Sequence, residues 1–289
     1  MRGLIPSLVR YAPHYRRAVR PTFRYWLETE VHVYGFSIAA SVLLSFWPFL
    51  LLMVSLCRYA LGWPTAEESI YLALRDYFPG ATGEFLAYNL QARAWEFRTI
   101  SWLSVALLLF TANGIFLPLE VALNRAWGVA QNRTFWKNQL ISYGMVLLCG
   151  ILALISIVLP GWGLNVLRQW FGANVAVDWG ARVFFKLVSI PVTILMVFLV
   201  YWLLPNRKVP VRLILPGAIV VGLALELLKW INLVINPWLQ AKLKREYEPF
   251  NNSATVLLWS FFAGLLFLAG ADWAARRARA LELAQRKSG

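Results

Sequence analysis

Six apolar runs, at 36–61, 100–121, 139–163, 183–204, 213–235 and 254–271, fill most of this 289-residue chain and decide its solvent. Each reaches the roughly 17 residues at the short end of what a helix rising 1.5 Å per residue needs to cross a hydrocarbon core of about 30 Å. The expected fold class is therefore all-α: a polytopic membrane protein with six transmembrane helices. Only 15% of the residues are charged and 60% are hydrophobic, whereas a soluble domain carries about 25% charged residues. The runs divide the chain into a basic arm (1–33), one six-helix domain (34–273) and a basic tail (274–289).

Charge sets the expected orientation. The net charge is +14, and seventeen Lys and Arg lie in the arm, the connectors after the second and fourth runs, and the tail, against eight in the alternate connectors. The positive-inside bias puts both termini in the cytoplasm. In the arm, Arg10, Arg16, Arg17, Arg20 and Arg24 alternate with Leu8, Tyr11, Tyr15, Phe23 and Trp26, a pattern suited to an anionic lipid leaflet, where each cation is worth roughly 1 kcal/mol. The arm lacks the apolar core of a secretory signal and is expected to belong to the mature protein.

The outer segment 62–99 is the longest connector. Pro64-Thr65-Ala66-Glu67-Glu68 resembles a helix start with Thr65 as cap, and Pro79-Gly80 divides two short amphipathic helices, 67–78 and 82–97. Ile70, Leu74, Tyr77 and Phe78 give the first an apolar stripe, suited to rest on the outer rim of the bundle or to cover its mouth.

Enzyme chemistry finds little purchase. The two cysteines, Cys57 and Cys149, sit in different apolar runs, only His14 and His32 could add imidazole, and no phosphate-binding glycine loop occurs. No cofactor, metal or nucleic-acid partner is expected. Ribonuclease chemistry would need paired acids on the cytoplasmic side, where only Glu28, Glu30 and Glu282 lie.

Polar residues inside the runs are the functional candidates, because an acid or lysine at mid-membrane costs about 2.5 to 3.5 kcal/mol on insertion scales. Glu226 and Lys229 share one face of the fifth run, and Asn232 and Asn236 extend it outward. Lys186 and Arg58 are expected at a similar depth. Glu226 can serve as a buried counter-ion that fixes packing. Alternatively, it only partly neutralises Lys229, Lys186 and Arg58, leaving an outward cavity with surplus positive charge for phosphate or carboxylate headgroups. Nearer the cytoplasm Asn113, Glu120 and Asn124 form one stripe of the second run, loosened by Pro118, and are the candidate gate. Glu120 is expected to meet Arg125 or the first turn of a neighbour, Asp272 to pair with Arg276, Asn206 to hold a turn, and Arg207 with Lys208 to anchor on lipid phosphate.

Several strings together resemble the YihY/BrkB family of bacterial inner-membrane proteins. They are Ala39-Ala40-Ser41 with Leu44-Ser45-Phe46-Trp47-Pro48-Phe49; Ala122-Leu123-Asn124-Arg125-Ala126-Trp127-Gly128-Val129; Leu204-Pro205-Asn206-Arg207-Lys208-Val209; Leu215-Pro216-Gly217-Ala218; and Leu225-Glu226-Leu227-Leu228-Lys229. Phe250-Asn251-Asn252-Ser253 and Gly270-Ala271-Asp272 depart from the Tyr-Gly-Ser and Gly-Ala-Glu that the family often has there. The resemblance implies a six-helix inner-membrane protein, in a family linked to serum resistance, to transport or envelope-lipid roles, and to an older ribonuclease BN label. The function expected is transporter-like movement or flipping of an anionic amphipathic molecule, such as an envelope lipid. The alternative is a non-transporting scaffold or envelope-assembly partner.

Overall fold

The computed structural model describes residues 29–78, 80–96, 102–129, 133–172, 175–248 and 250–288, with Tyr25 and Leu27 ahead of them. Within them every regular element is helical: α1 Thr29–Ser55, continued by a π-helical end Leu56–Ala60, then α2 Pro64–Tyr77, α3 Ala81–Glu96, α4 Trp102–Ala126, α5 Phe135–Phe171, α6 Val175–Leu203, α7 Val211–Tyr247 and α8 Asn251–Ser288. Five stretches are long and apolar enough to cross a membrane: Glu30–Tyr59, Val105–Ala126, Phe135–Leu159, Val211–Tyr247 and Asn251–Ala280. The fourth expected run corresponds to a shorter apolar stretch, Leu187–Leu203, at the end of α6.

The long helices pack as a ring in the order α1, α4, α5, α6, α7, α8 and back to α1, and the α2–α3 hairpin leans on α1 and α5. Two buried cores result. One gathers the start of α1, the ends of α4, α6 and α8 and the start of α7, with Leu123, Val197, Leu204, Ile214, Val221 and Leu268 at its centre. This end also carries Arg125, Arg133, Arg207 and Arg279 and is called the basic end below. The other core joins Leu50, Val54 and Cys57 of α1, Ile70 and Leu74 of α2, Leu86 and Leu90 of α3 and Val158 of α5. It defines the hairpin end.

Small residues let the backbones approach where hydrocarbon supplies no drive for helices to associate. A Cβ on Gly217 would stand 2.7 Å from that of Ala274, and one on Gly222 2.6 Å from Ile194 Cγ1, so α7 sits tightly on α8 and α6 at the basic end. The packing of α7 then changes along its length. Ile214, Gly217, Ala218, Val221 and Gly222 are buried, whereas between 223 and 247 only Asn236 is.

Two details of the hairpin differ from expectation. The helix α2 begins at Pro64 rather than at residue 67, because a proline in the first turn forfeits no hydrogen bond. Thr65 therefore lies inside the helix, and Trp63 holds the cap position without a side-chain bond. The stripe Ile70 and Leu74 is buried in the hairpin-end core, while Tyr77 is exposed. At the far boundary, α8 runs unbroken past residue 273, and Ala274, Ala275 and Ala278 are buried in the basic-end core.

Candidate functional site

One polar stripe runs along the loosely packed part of α7. Glu226, Lys229, Asn232, Asn236 and Gln240 are separated by three or four residues, so one helical face carries them all. Lys229 Nζ donates to Glu226 Oε1 at 2.7 Å, and Thr193 Oγ1 of α6 donates to the same oxygen at 2.6 Å. The carboxylate is thus anchored from two helices. Its side chain is 13% exposed and that of Lys229 36%, so the cation is the accessible half of the pair. Lys229 Nζ also lies 5.4 Å from the centre of the Tyr77 ring, within cation–π range, and Asn232 Nδ2 donates to the Tyr77 carbonyl at 2.9 Å. Beyond the buried Asn236, Gln240 Nε2 donates to Thr255 Oγ1 at 2.5 Å, and Asn251 Nδ2 donates to Gln240 Oε1 at 3.0 Å. The stripe thereby continues onto α8.

Arg58 does not join this group. Its Nε donates to Glu67 Oε2 at 2.8 Å, a second guanidinium nitrogen meets Glu67 Oε1, and Nη1 donates to the Ala94 carbonyl at 3.0 Å. Tyr71 Oη donates to Glu67 Oε1 at 2.8 Å, and burial, reinforced by that bond, raises its phenol above the usual range. Glu67 and Tyr77 are ten residues apart on α2, about 15 Å at the helical rise. Arg58 and Lys229 therefore engage opposite ends of the hairpin helix, and each has its own acid. The expected cluster of cations sharing Glu226 is divided for this reason, and the side chains of Lys186 and Asn113 lie outside the described ones.

At the basic end the candidate gate residues form a clasp. Glu120 is buried, and its carboxylate faces Arg133 at 3.6 Å, not Arg125, which pairs with Glu30 across the mouth of α1. Arg133 reaches past Glu120 to the frayed end of α6: it donates to the carbonyls of Leu203 at 3.2 Å, Leu204 at 2.7 Å and Pro205 at 2.8 Å. These are carbonyls that a helix end leaves without intrahelical donors. The Asn206 backbone N–H, next in sequence, donates to Asn124 Oδ1 at 2.7 Å. Asn206 thus holds its turn by way of α4.

The end of α4 is capped in the same manner. Gly128 stands at φ 66°, and the Val129 N–H returns to the Asn124 carbonyl at 2.8 Å, closing the helix with a left-handed residue that glycine adopts without strain. Arg207 donates to the Trp127 carbonyl at 3.2 Å and Arg279 to that of Ala126. Arg207, expected on lipid phosphate, is exposed and also reaches the carbonyl end of α4 with its partial negative charge. Pro118 lies inside α4, which continues through it as one helix. Asp272 and Arg276 pair at 2.7 Å, as their spacing predicted.

Thr193, Tyr77, Gln240, Glu67 and Arg133 were not among the sequence candidates. Gln240 was within reach, since the three-and-four spacing of the stripe runs on past the apolar run that ends at 235. The others belong to different elements, and no spacing along the chain marks their partners. Cys57 and Cys149 are free thiols, and among the described residues no group of three or more His, Cys, Asp and Glu is placed to hold a metal ion.

A family profile described as virulence factor BrkB matches residues 22–289. Among curated proteins, the ribonuclease-like protein YfkH of Bacillus subtilis is 23% identical over 244 residues, covering 80% of this chain and 84% of its own length. A UPF0761 membrane protein of Chromohalobacter salexigens is 26% identical over 237 residues, 81% of this chain and 57% of the relative. Another from Chlorobium chlorochromatii is 23% identical over 248 residues, 86% and 56% respectively. The chain thus spans little more than half the length of these UPF0761 relatives. No solved structure matches it.

Proposed function

The chain belongs to the virulence factor BrkB family, as a multi-pass protein of the bacterial inner membrane, and from that premise we propose a transporter-like role: moving or flipping an anionic amphipathic molecule, such as an envelope lipid, along α7. The supporting observation is the polar stripe of α7, which lies where that helix has lost its close packing while the opposite end of the bundle stays dense and clasped. Charge placed at this depth is costly unless it is paired or faces water, and half-exposed Lys229 is open to a competing anion.

Chemically, an incoming phosphate or carboxylate takes Lys229 from Glu226, and Thr193 keeps the released carboxylate in place. Asn232 and Gln240 offer amides to the rest of the headgroup, and the buried Asn236 does so as α7 parts further from its neighbours. The neighbouring exposed side chains Leu227, Trp230 and Val234 leave hydrocarbon tails in the bilayer. Lys186, two turns before Thr193 on α6, is proposed as a second cation. In this scheme α6 supplies the sixth span, both termini face the cytoplasm, and the basic arm rests on anionic lipid. Arg58 is assigned to hairpin docking, and Asn113, Pro118, Glu120 and Asn124 to closure of the basic end.

The test is uptake or leaflet exchange of a labelled anionic phospholipid by the full chain in proteoliposomes. Glu226→Gln and Lys229→Met should abolish it while the protein stays folded. Unchanged activity in both variants removes α7 from the pathway. A cysteine scan along 226–240 that finds every position closed to a water-soluble maleimide supports the scaffold alternative. The name of the Bacillus subtilis relative suggests nuclease chemistry, but here Glu30, Glu120, Glu226 and Asp272 each face a cation rather than a second carboxylate.

A further inference from the structure

We infer that the groove between the end of α1, the start of α2 and the middle of α5 holds one acyl chain of a bilayer lipid, through contacts with hydrocarbon and not with a headgroup. The groove has a volume of about 430 Å³, and all its lining side chains are apolar, among them Cys57, Leu61, Trp63, Ala66, Ile155 and Val158. Its site in the fold supports a lipid occupant. Cys57 lies within the apolar stretch Glu30–Tyr59, and the α5 wall, Ile151 to Leu159, ends the stretch Phe135–Leu159. The medium at its mouth is therefore the bilayer. Water needs two to four polar partners to occupy such a space, and this lining supplies none.

The local backbone builds the shape. The π-helical turn Leu56–Ala60 widens the end of α1, a departure often found at functional positions. Gly62 then turns the chain at φ 56°, and the Trp63 N–H bonds back to the Cys57 carbonyl at 2.8 Å. This folds Trp63 over the groove as a roof and brings Ala66 to its floor. Cys57, Ala66 and Val158 are buried in the hairpin-end core and form the floor, while Leu61, Trp63, Ile151 and Ile155 stand exposed around the opening. The floor is set by packing that does not depend on an occupant.

The dimensions favour a single chain over a partner helix. Two turns of helix, 10–12 Å across with side chains, sweep out on the order of 1,000 Å³, more than twice the space available. Charge argues in the same direction. Arg58, beside Cys57 in sequence, is committed to Glu67 and the Ala94 carbonyl, and no charged residue lines the groove. Selection by headgroup has no means of acting here. The site is separate from transport along α7 and stands or falls without it.

Photolabelling tests it. The full chain is reconstituted in phosphatidylethanolamine and phosphatidylglycerol vesicles containing a phospholipid with a diazirine on one acyl chain, irradiated, and mapped by mass spectrometry. Label should concentrate on residues 56–66 and 151–159, above the level at the lipid-exposed Phe110 of α4 and Leu195 of α6. Ala66→Trp or Val158→Trp, which fill the floor, should lower it to that background. Should these not fold, Ile155→Trp at the open rim should lower it as well. Equal labelling of all lipid-exposed positions overturns the inference, as does undiminished groove labelling in a folded filled variant. Unlabelled phosphatidylethanolamine and phosphatidylglycerol should compete equally; a strong preference for either overturns binding through the chain alone.

Discussion

The two ends of the bundle carry ion pairs of the same kind in different surroundings. At the basic end the buried Glu120 meets the largely buried Arg133, which holds three successive carbonyls of the α6 terminus, those of Leu204 and Pro205 on buried residues. Toward the hairpin end Glu226 meets Lys229 on a helix face where neighbouring apolar side chains are half-buried or exposed. In the proposed scheme an ion pair is a fastener where the helices around it pack, and a binding group where they part. The density of packing, more than the residue types, separates the two roles.

The largest effect should come from breaking the enclosed pair. Arg133→Met leaves Glu120 buried without its cation and removes donors from three carbonyls, so it should cost about 3–5 kcal/mol, read as a large loss of thermal stability in detergent. Arg133→Lys should restore only part of it, since an ammonium cannot span several acceptors as a planar guanidinium does. Crowding the tight contact of α7 is next. Gly217→Leu should destabilise by about 1–3 kcal/mol through overpacking against Ala274.

Glu67→Gln should loosen the hairpin by about 1.5–3 kcal/mol, the value of hydrogen bonds to a charged group. The readout is faster labelling of Cys57, which is buried while the hairpin is docked. The smallest stability change is expected for Glu226→Gln with Lys229→Met. Removing both partners of a pair whose lysine is its accessible half leaves no charge unpaired and should alter stability by less than about 1 kcal/mol, while abolishing the proposed lipid movement. A stability loss as great as that of Arg133→Met would erase the contrast and make the α7 stripe a packing device.

Much of the architecture was legible in the apolar runs, since helices in hydrocarbon must satisfy their own backbones and so announce their length. The local pairs were legible as well. Glu226 with Lys229 and Asp272 with Arg276 follow from spacings of three and four residues, which one helix face enforces. The partners across elements were not. Arg58 looked available to Glu226 because both interrupt apolar runs, yet the hairpin delivers Glu67 to it. Glu120 had Arg125 close by in sequence, but Arg125 points to Glu30, and Arg133 arrives from beyond the helix end.

By itself, then, the sequence determined that the chain is a helical membrane protein, which helices carry misplaced charge, and which charges pair within one helix. These are consequences of solvent and periodicity, and both can be read along a line. Only the tertiary structure decided which pairs are enclosed and which are open, that the segment between α1 and α4 builds a core and roofs an apolar groove, and that arginines tie off the ends of α4 and α6. Those outcomes depend on which helices adjoin and how closely their backbones approach.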